Sequence, residues 1–141
     1  MTFTASARCM GDGLRHEVDV NGRHLLVTDE PASLGGTDAG PAPHELLPAM
    51  LAACASTMVA LYARRHGWEL DQLTVDVEYD PEVTPCRCEV VLRLPDGLTA
   101  DQVRRLERVA QTCPAKRALE AGFEFSQRTV AATGRRAAAA G

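Results

Sequence analysis

The sequence predicts an α+β fold organised around one long apolar helix, and three observations carry that expectation. Asn21-Gly22 interrupts the polar-apolar alternation of "LRHEVDVNGRHLLVTDEP", the dipeptide suited to a type I′ hairpin turn. "LLPAMLAACASTMVALYA", residues 46–63, runs for eighteen positions without a charge. The blocks then follow as strands, long helix, strands, helices and a strand, a segregated order that argues against a doubly wound parallel sheet.

Each element has its own signal. The first thirty residues read as strands. "SLGGTDAGPAP" holds too many helix breakers to be regular structure. The long helix is expected from about Pro43 or His44 to His66, with Gly67 as its stop and Pro48 as an early bend or effective start. "LTVDVEYDP" and "CRCEVVLRLP" pair as strands through the link "DPEVTP". "LTADQVRRLERVAQTC" is an amphipathic helix: Thr99 and Gln102 form a capping box, and Val103, Leu106 and Val109-Ala110 form its stripe. "PAKRALEAG" is a short helix between Pro114 and Gly122, and "FEFSQRTV" is expected to close the fold as a strand. Residues 1–134 make a single domain and 135–141 a disordered tail.

Composition narrows the class. The 141 residues are 45% hydrophobic and 24% charged, with net charge −4, which gives no electrostatic reason to expect nucleic acid or an anionic membrane as partner. The apolar run lies at the lower limit for a bilayer span, but it is rich in alanine and carries Pro48, Ser56 and Thr57. A buried central helix is the better reading. A helix apolar nearly all round must be covered on every side, and a homodimer is the simplest cover. The N-terminus has neither the basic start nor the apolar run of a secretory signal. The five cysteines are therefore expected as free thiols in the cytoplasm.

Two cysteines invite chemistry. Cys54 shares a helix face with Leu47, Met50, Leu51, Met58 and Leu61. It is either a small core residue or a thiol needing a cationic or hydrogen-bonding neighbour from elsewhere in the fold. Cys113 precedes Pro114, where the unpaired N–H groups of a helix start favour a thiolate; the alternative is a simple gap-filler. Cys86 and Cys88 are spaced C-x-C on one side of a strand without a second ligand pair for zinc, so no metal and no cofactor is expected. His16 and His24 flank the hairpin. His66 suits the end of the long helix. His44 and Glu45 either cap that helix or take part in catalysis.

Together, "GGTDAGPAPHELLPAMLAAC", "YARRHGW" and "CPAKRALEAG" resemble the OsmC/Ohr superfamily, the osmotically inducible and organic-hydroperoxide-resistance proteins. The resemblance spans almost the whole chain, and the broad OsmC-like branch is the nearest pattern. It implies an intertwined homodimer with central helices wrapped by antiparallel sheets and active sites at the interface. It implies a thiol peroxidase acting on organic hydroperoxides, with Cys54 peroxidatic, Cys113 resolving through a disulfide, and a lipoyl-type dithiol as reductant. The family's glutamate after the proline falls on His44 here, with Glu45 one residue later. Its activating arginine falls on Gly11, with Arg15 and Arg8 nearby. The catalytic set implied is therefore Cys54 and Cys113 with Glu45, His44 and Arg15. The competing reading is a non-catalytic protein of this branch that holds an apolar small molecule at the dimer interface.

Overall fold

The computed structural model describes residues 1–11 and 13–132. The tail 135–141 lies outside the described residues. Three strands come first: β1 (Ala5–Cys9), β2 (His16–Val20) and β3 (His24–Thr28), joined as an antiparallel sheet in the order β1-β2-β3. Asn21 and Gly22 both take positive φ, 55° and 66°, as a type I′ turn requires. The Gly22 N–H donates to Asp19 Oδ1 at 2.6 Å, so the turn is tied to its own strand.

The Gly/Pro loop is ordered by a buried carboxylate. Asp29, 1% exposed, ends β3 and accepts from the N–H groups of Glu30, Thr37 and Ala39 and from the Thr37 hydroxyl. The Thr37 hydroxyl first, then these N–H groups against the cost of burial, holds its pKa at about 2, below the ordinary 3.8. Two glycines are needed for space. A Cβ on Gly36 would run into the Glu30 backbone, and one on Gly40 into the Val27 carbonyl. The loop thus packs closely against the end of β3 and the residues just after it.

A 3-10 turn at Pro43–Glu45 leads into α1 (Leu46–Arg65). Pro48 sits in the first turn of α1, where its missing N–H costs no hydrogen bond. At the other end Gly67 has φ 68° and the Trp68 N–H returns to the Ala63 carbonyl at 2.9 Å, closing the helix where expected. β4 (Thr74–Asp80) and β5 (Arg87–Arg93) form a separate antiparallel ribbon. α2 (Ala100–Gln111) begins with the predicted capping box: Thr99 Oγ1 accepts from Gln102 N–H, and Gln102 Oε1 from Thr99 N–H. α3 (Pro114–Ala121) follows, with Gly122 at its end.

The core is where α1 crosses α2. Val59, Ala63, Leu106 and Ala110 are buried there, and the ribbon contributes Leu92 and Leu94 around them. On α1 the buried residues are Leu51, Ala55, Val59 and Ala63, a four-residue ridge of the kind that seats in a groove of a facing helix. This differs in rotation from the face expected around Cys54. Met50 and Leu61 on that face remain 45% and 42% exposed, because α2 and β4 cover only the neighbouring stripe. Pro43–Arg65 is long and apolar enough to cross a membrane by length and composition, yet its ridge is packed as a core helix is.

One element departs from expectation. "FEFSQRTV" is not a strand; Val130 alone makes a bridge, and Phe123 and Phe125 are 60% and 91% exposed. A strand exists only by sustained pairing, and this segment pairs at Val130 alone. The β1-β2-β3 sheet is similarly self-contained: its main packing is strand on strand, whereas α1 packs on α2, β4 and α3.

Candidate active site

Cys54 lies on α1 between Leu51 and Ala55 of the buried ridge and is half-buried. Cys113 caps the start of α3 and is 1% exposed. α3 packs on α1, which brings the Cys113 thiol near enough to Cys54 to bear on its proton affinity. The Ala115 backbone N–H, in the first turn of α3, also points at Cys54. Burial first, then the adjacent Cys113 thiol, pushes the Cys54 pKa up from its ordinary value; the Ala115 N–H pulls it down. Pro114 at the first helical position leaves that N–H as the nearest donor of the helix start.

Cys113 borders a cavity of about 410 Å³, within the range of small-molecule sites, and Leu51 and Ala55, which flank Cys54 on α1, line it too. Its apolar wall comes from Leu51, Ala55, Val90, Leu92 and Ala110, with Cys113 among the lining residues. Glu107, Gln111 and Lys116 supply polar groups. Lys116 is paired with Glu120 at 2.5 Å along α3.

The other expected site residues are elsewhere in the chain. Glu45 Oε2 accepts from the Ala42 N–H at 2.9 Å and so caps the entry to α1. His44 Nε2 lies 2.8 Å from the Tyr79 hydroxyl. Both precede Cys54 by some two and a half helical turns, about 15 Å of axis at 1.5 Å per residue, so neither reaches the thiol of its own subunit. Arg15 stands in the link between β1 and β2, its carbonyl accepting from Met10 N–H. Arg8 pairs with Glu17 across the strands at 2.6 Å, which leaves Arg15 the better placed of the two arginines to act outside the sheet. Among the described residues, no cation is one of the groups acting on Cys54.

The glycine-dependent loop leads into the apolar helix that carries Cys54, and Cys113 opens the helix α3 packed on it. The profile of the OsmC-like protein family matches residues 36–128. The chain belongs to that family. Solved OsmC-like structures share its α+β fold. The OsmC-like protein of Mycoplasma pneumoniae superposes with TM-score 0.68 at 16% identity, over 85% of this chain and 88% of that one. The organic hydroperoxide resistance protein OsmC of Legionella pneumophila gives 0.58 at 24%, over 84% and 89%. The organic hydroperoxide resistance protein of Elizabethkingia anophelis gives 0.58 at 26%, over 83% and 86%. No curated protein matches the sequence.

Sequence reasoning missed two contributors to this OsmC-like site. Ala115 acts through its backbone, and no residue type signals that. Lys116 had a signal only as a charge beside Cys113-Pro114.

Proposed function

We propose that this chain is a cytoplasmic thiol peroxidase that reduces organic hydroperoxides, with Cys54 peroxidatic and Cys113 resolving. The observation that carries the reading is the packing of α3 on α1, which sets Cys113 near Cys54 and against an apolar cavity. Cys54 thiolate attacks the outer oxygen of the hydroperoxide. The O–O bond breaks, an alcohol leaves after taking a proton, and Cys54 becomes a sulfenic acid. Cys113 then attacks that sulfur and expels water, forming a disulfide before further oxidation. An external dithiol of the lipoyl type restores both thiols by two exchanges and leaves as its own disulfide. The wall of Leu, Val and Ala favours an organic peroxide over hydrogen peroxide, whose two hydroxyl groups would be desolvated there without replacement. Names of relatives in Legionella and Elizabethkingia are consistent with this chemistry.

The thiol needs a cation, and none among the described residues of its own subunit acts on it. The proposal therefore includes a homodimer in which the first sheet of one subunit covers the exposed face of the other's α1. Arg15, with His44 and Glu45, would then serve the thiol from across the interface.

Consumption of cumene hydroperoxide with dihydrolipoamide tests the assignment. Cys54→Ser should abolish it, and unimpaired turnover by that variant would falsify the reading. The raised Cys54 pKa favours a second reading, an apolar-ligand binding protein without turnover. Free-thiol counting after stoichiometric peroxide separates them: the peroxidase loses two thiols together, the binding protein none.

A further inference from the structure

Asn21-Gly22 turns the first hairpin, and the same two residues hold the parts of a self-modification reaction. A backbone nitrogen can attack the side-chain carbonyl carbon of the asparagine before it, and a glycine nitrogen meets the least obstruction. Here the way is open in space. Beyond its chain neighbours, nothing lies within 4 Å of where a Cβ on Gly22 would stand. Gly22 is exposed and Asn21 half-buried.

Sterics do not guard the bond; two hydrogen bonds do. The Gly22 N–H, which carries the nucleophile, donates to Asp19 Oδ1 at 2.6 Å. A Gly22 nitrogen that lost its proton there would be an anion against a carboxylate, which costs Coulomb energy. The electrophile is held as well. Asn21 Oδ1 accepts from the Thr4 N–H at 2.8 Å, and the Asn21 N–H returns to the Thr4 carbonyl at 2.9 Å. The two guards differ in durability. Asp19 lies next to the turn on β2, whereas Thr4 stands just before β1. That strand is an edge, paired with β2 alone and exposed along its length. Segments with so little buried area open first.

We propose that Asn21 is a latent deamidation site, which converts when β1 comes away from β2. Gly22 N, its proton taken by water, attacks Asn21 Cγ. The bond to the side-chain nitrogen breaks, ammonia leaves, and a cyclic succinimide remains. Water then opens the ring at either carbonyl, giving aspartate or isoaspartate, so that one water enters for each ammonia lost. Either product sets a second carboxylate near Asp19. Isoaspartate also lengthens the backbone by one carbon, in a turn whose two-residue length fixes the register of β2 on β3. Opening permits conversion, and conversion opposes closing.

The experiment incubates the full chain in mildly alkaline heavy-oxygen water, with and without denaturing urea, and follows label entering position 21 by peptide mass spectrometry. Wild type should convert at least about tenfold more slowly without urea, because only the opened fraction reacts. Thr4→Pro removes the donor to Asn21 and keeps the Thr4-position carbonyl; it should convert several-fold faster than wild type without urea and equally fast with it. Asp19→Ala should behave likewise. Asp19→Asn keeps an oxygen for the Gly22 N–H and should stay near wild type, which separates a lost guard from a loosened fold. Equal wild-type rates with and without urea overturn the proposal. So do Thr4→Pro and Asp19→Ala converting no faster than wild type, and so does Asp19→Asn matching Asp19→Ala.

Discussion

At Cys54 the balance of neighbours decides whether the thiol reacts. Within one subunit burial and the Cys113 thiol outweigh the Ala115 N–H, and the pKa is raised. Since the thiolate is the nucleophile, a raised pKa means that its reactive fraction climbs with pH across the neutral range. A cation from the partner subunit moves that rise to lower pH. Arg15→Ala should therefore shift the pH midpoint of Cys54 alkylation upward by about one unit or more, while Arg8→Ala, removing an arginine already paired with Glu17, leaves it in place; identical midpoints for wild type and Arg15→Ala would remove Arg15 from the site. Cys113→Ser should leave one turnover per Cys54, followed by sulfinic acid at that residue, read by mass spectrometry. The residue chemistry of the site was legible only in part. Cys54 and Cys113 each carried a plausible signal alone, but their pairing came from family resemblance, because no local pattern encodes how α3 docks on α1.

At the scale of elements, local punctuation was the legible part. Asn21-Gly22, the Thr99–Gln102 box, Gly67 and Gly122 all act within five residues of their own position, and each fell where the sequence put it. The final strand was not legible, because pairing is a relation between segments and Phe123–Val130 pairs only at Val130. Nor did the order inside the Gly/Pro loop announce itself: it depends on Asp29, several residues upstream, gathering four hydrogen-bond donors. Two expectations follow for this loop. Gly36→Ala and Gly40→Ala each force backbone apart and should cost at least about 1–3 kcal/mol in chemical denaturation; a change near zero would mean the loop yields freely. Because the Asp29 pKa lies below its unfolded value, the stability it contributes is complete above about pH 4 and drains away as pH falls towards 2. Asp29→Asn should flatten the acid limb of the pH–stability curve, and an acid limb identical to wild type would count against that account.

For the whole molecule, the exposed surface is the argument. Met50 and Leu61 on α1, Leu25 on β3 and Phe123 and Phe125 beyond α3 are all open to solvent in one chain. The second copy proposed above would cover them at once, with no new chemistry required. Sedimentation equilibrium should give twice the chain mass, and Leu61→Glu should shift it to the single-chain mass with Cys54 reactivity falling in parallel. A monomeric wild type that still turns over peroxide would break the link between assembly and catalysis.

The rank order of synthesis gives α1 a further consequence. When it leaves the ribosome, the ribbon and α2 that shield its ridge have yet to be made, since they follow it in the chain. During that interval the nascent segment presents itself to the cell as a stretch of the length and greasiness that translocation machinery sorts by. Its many alanines, with Pro48, Ser56 and Thr57 among them, weaken that impersonation, so small residues that let helices approach closely also lower the segment's drive for insertion.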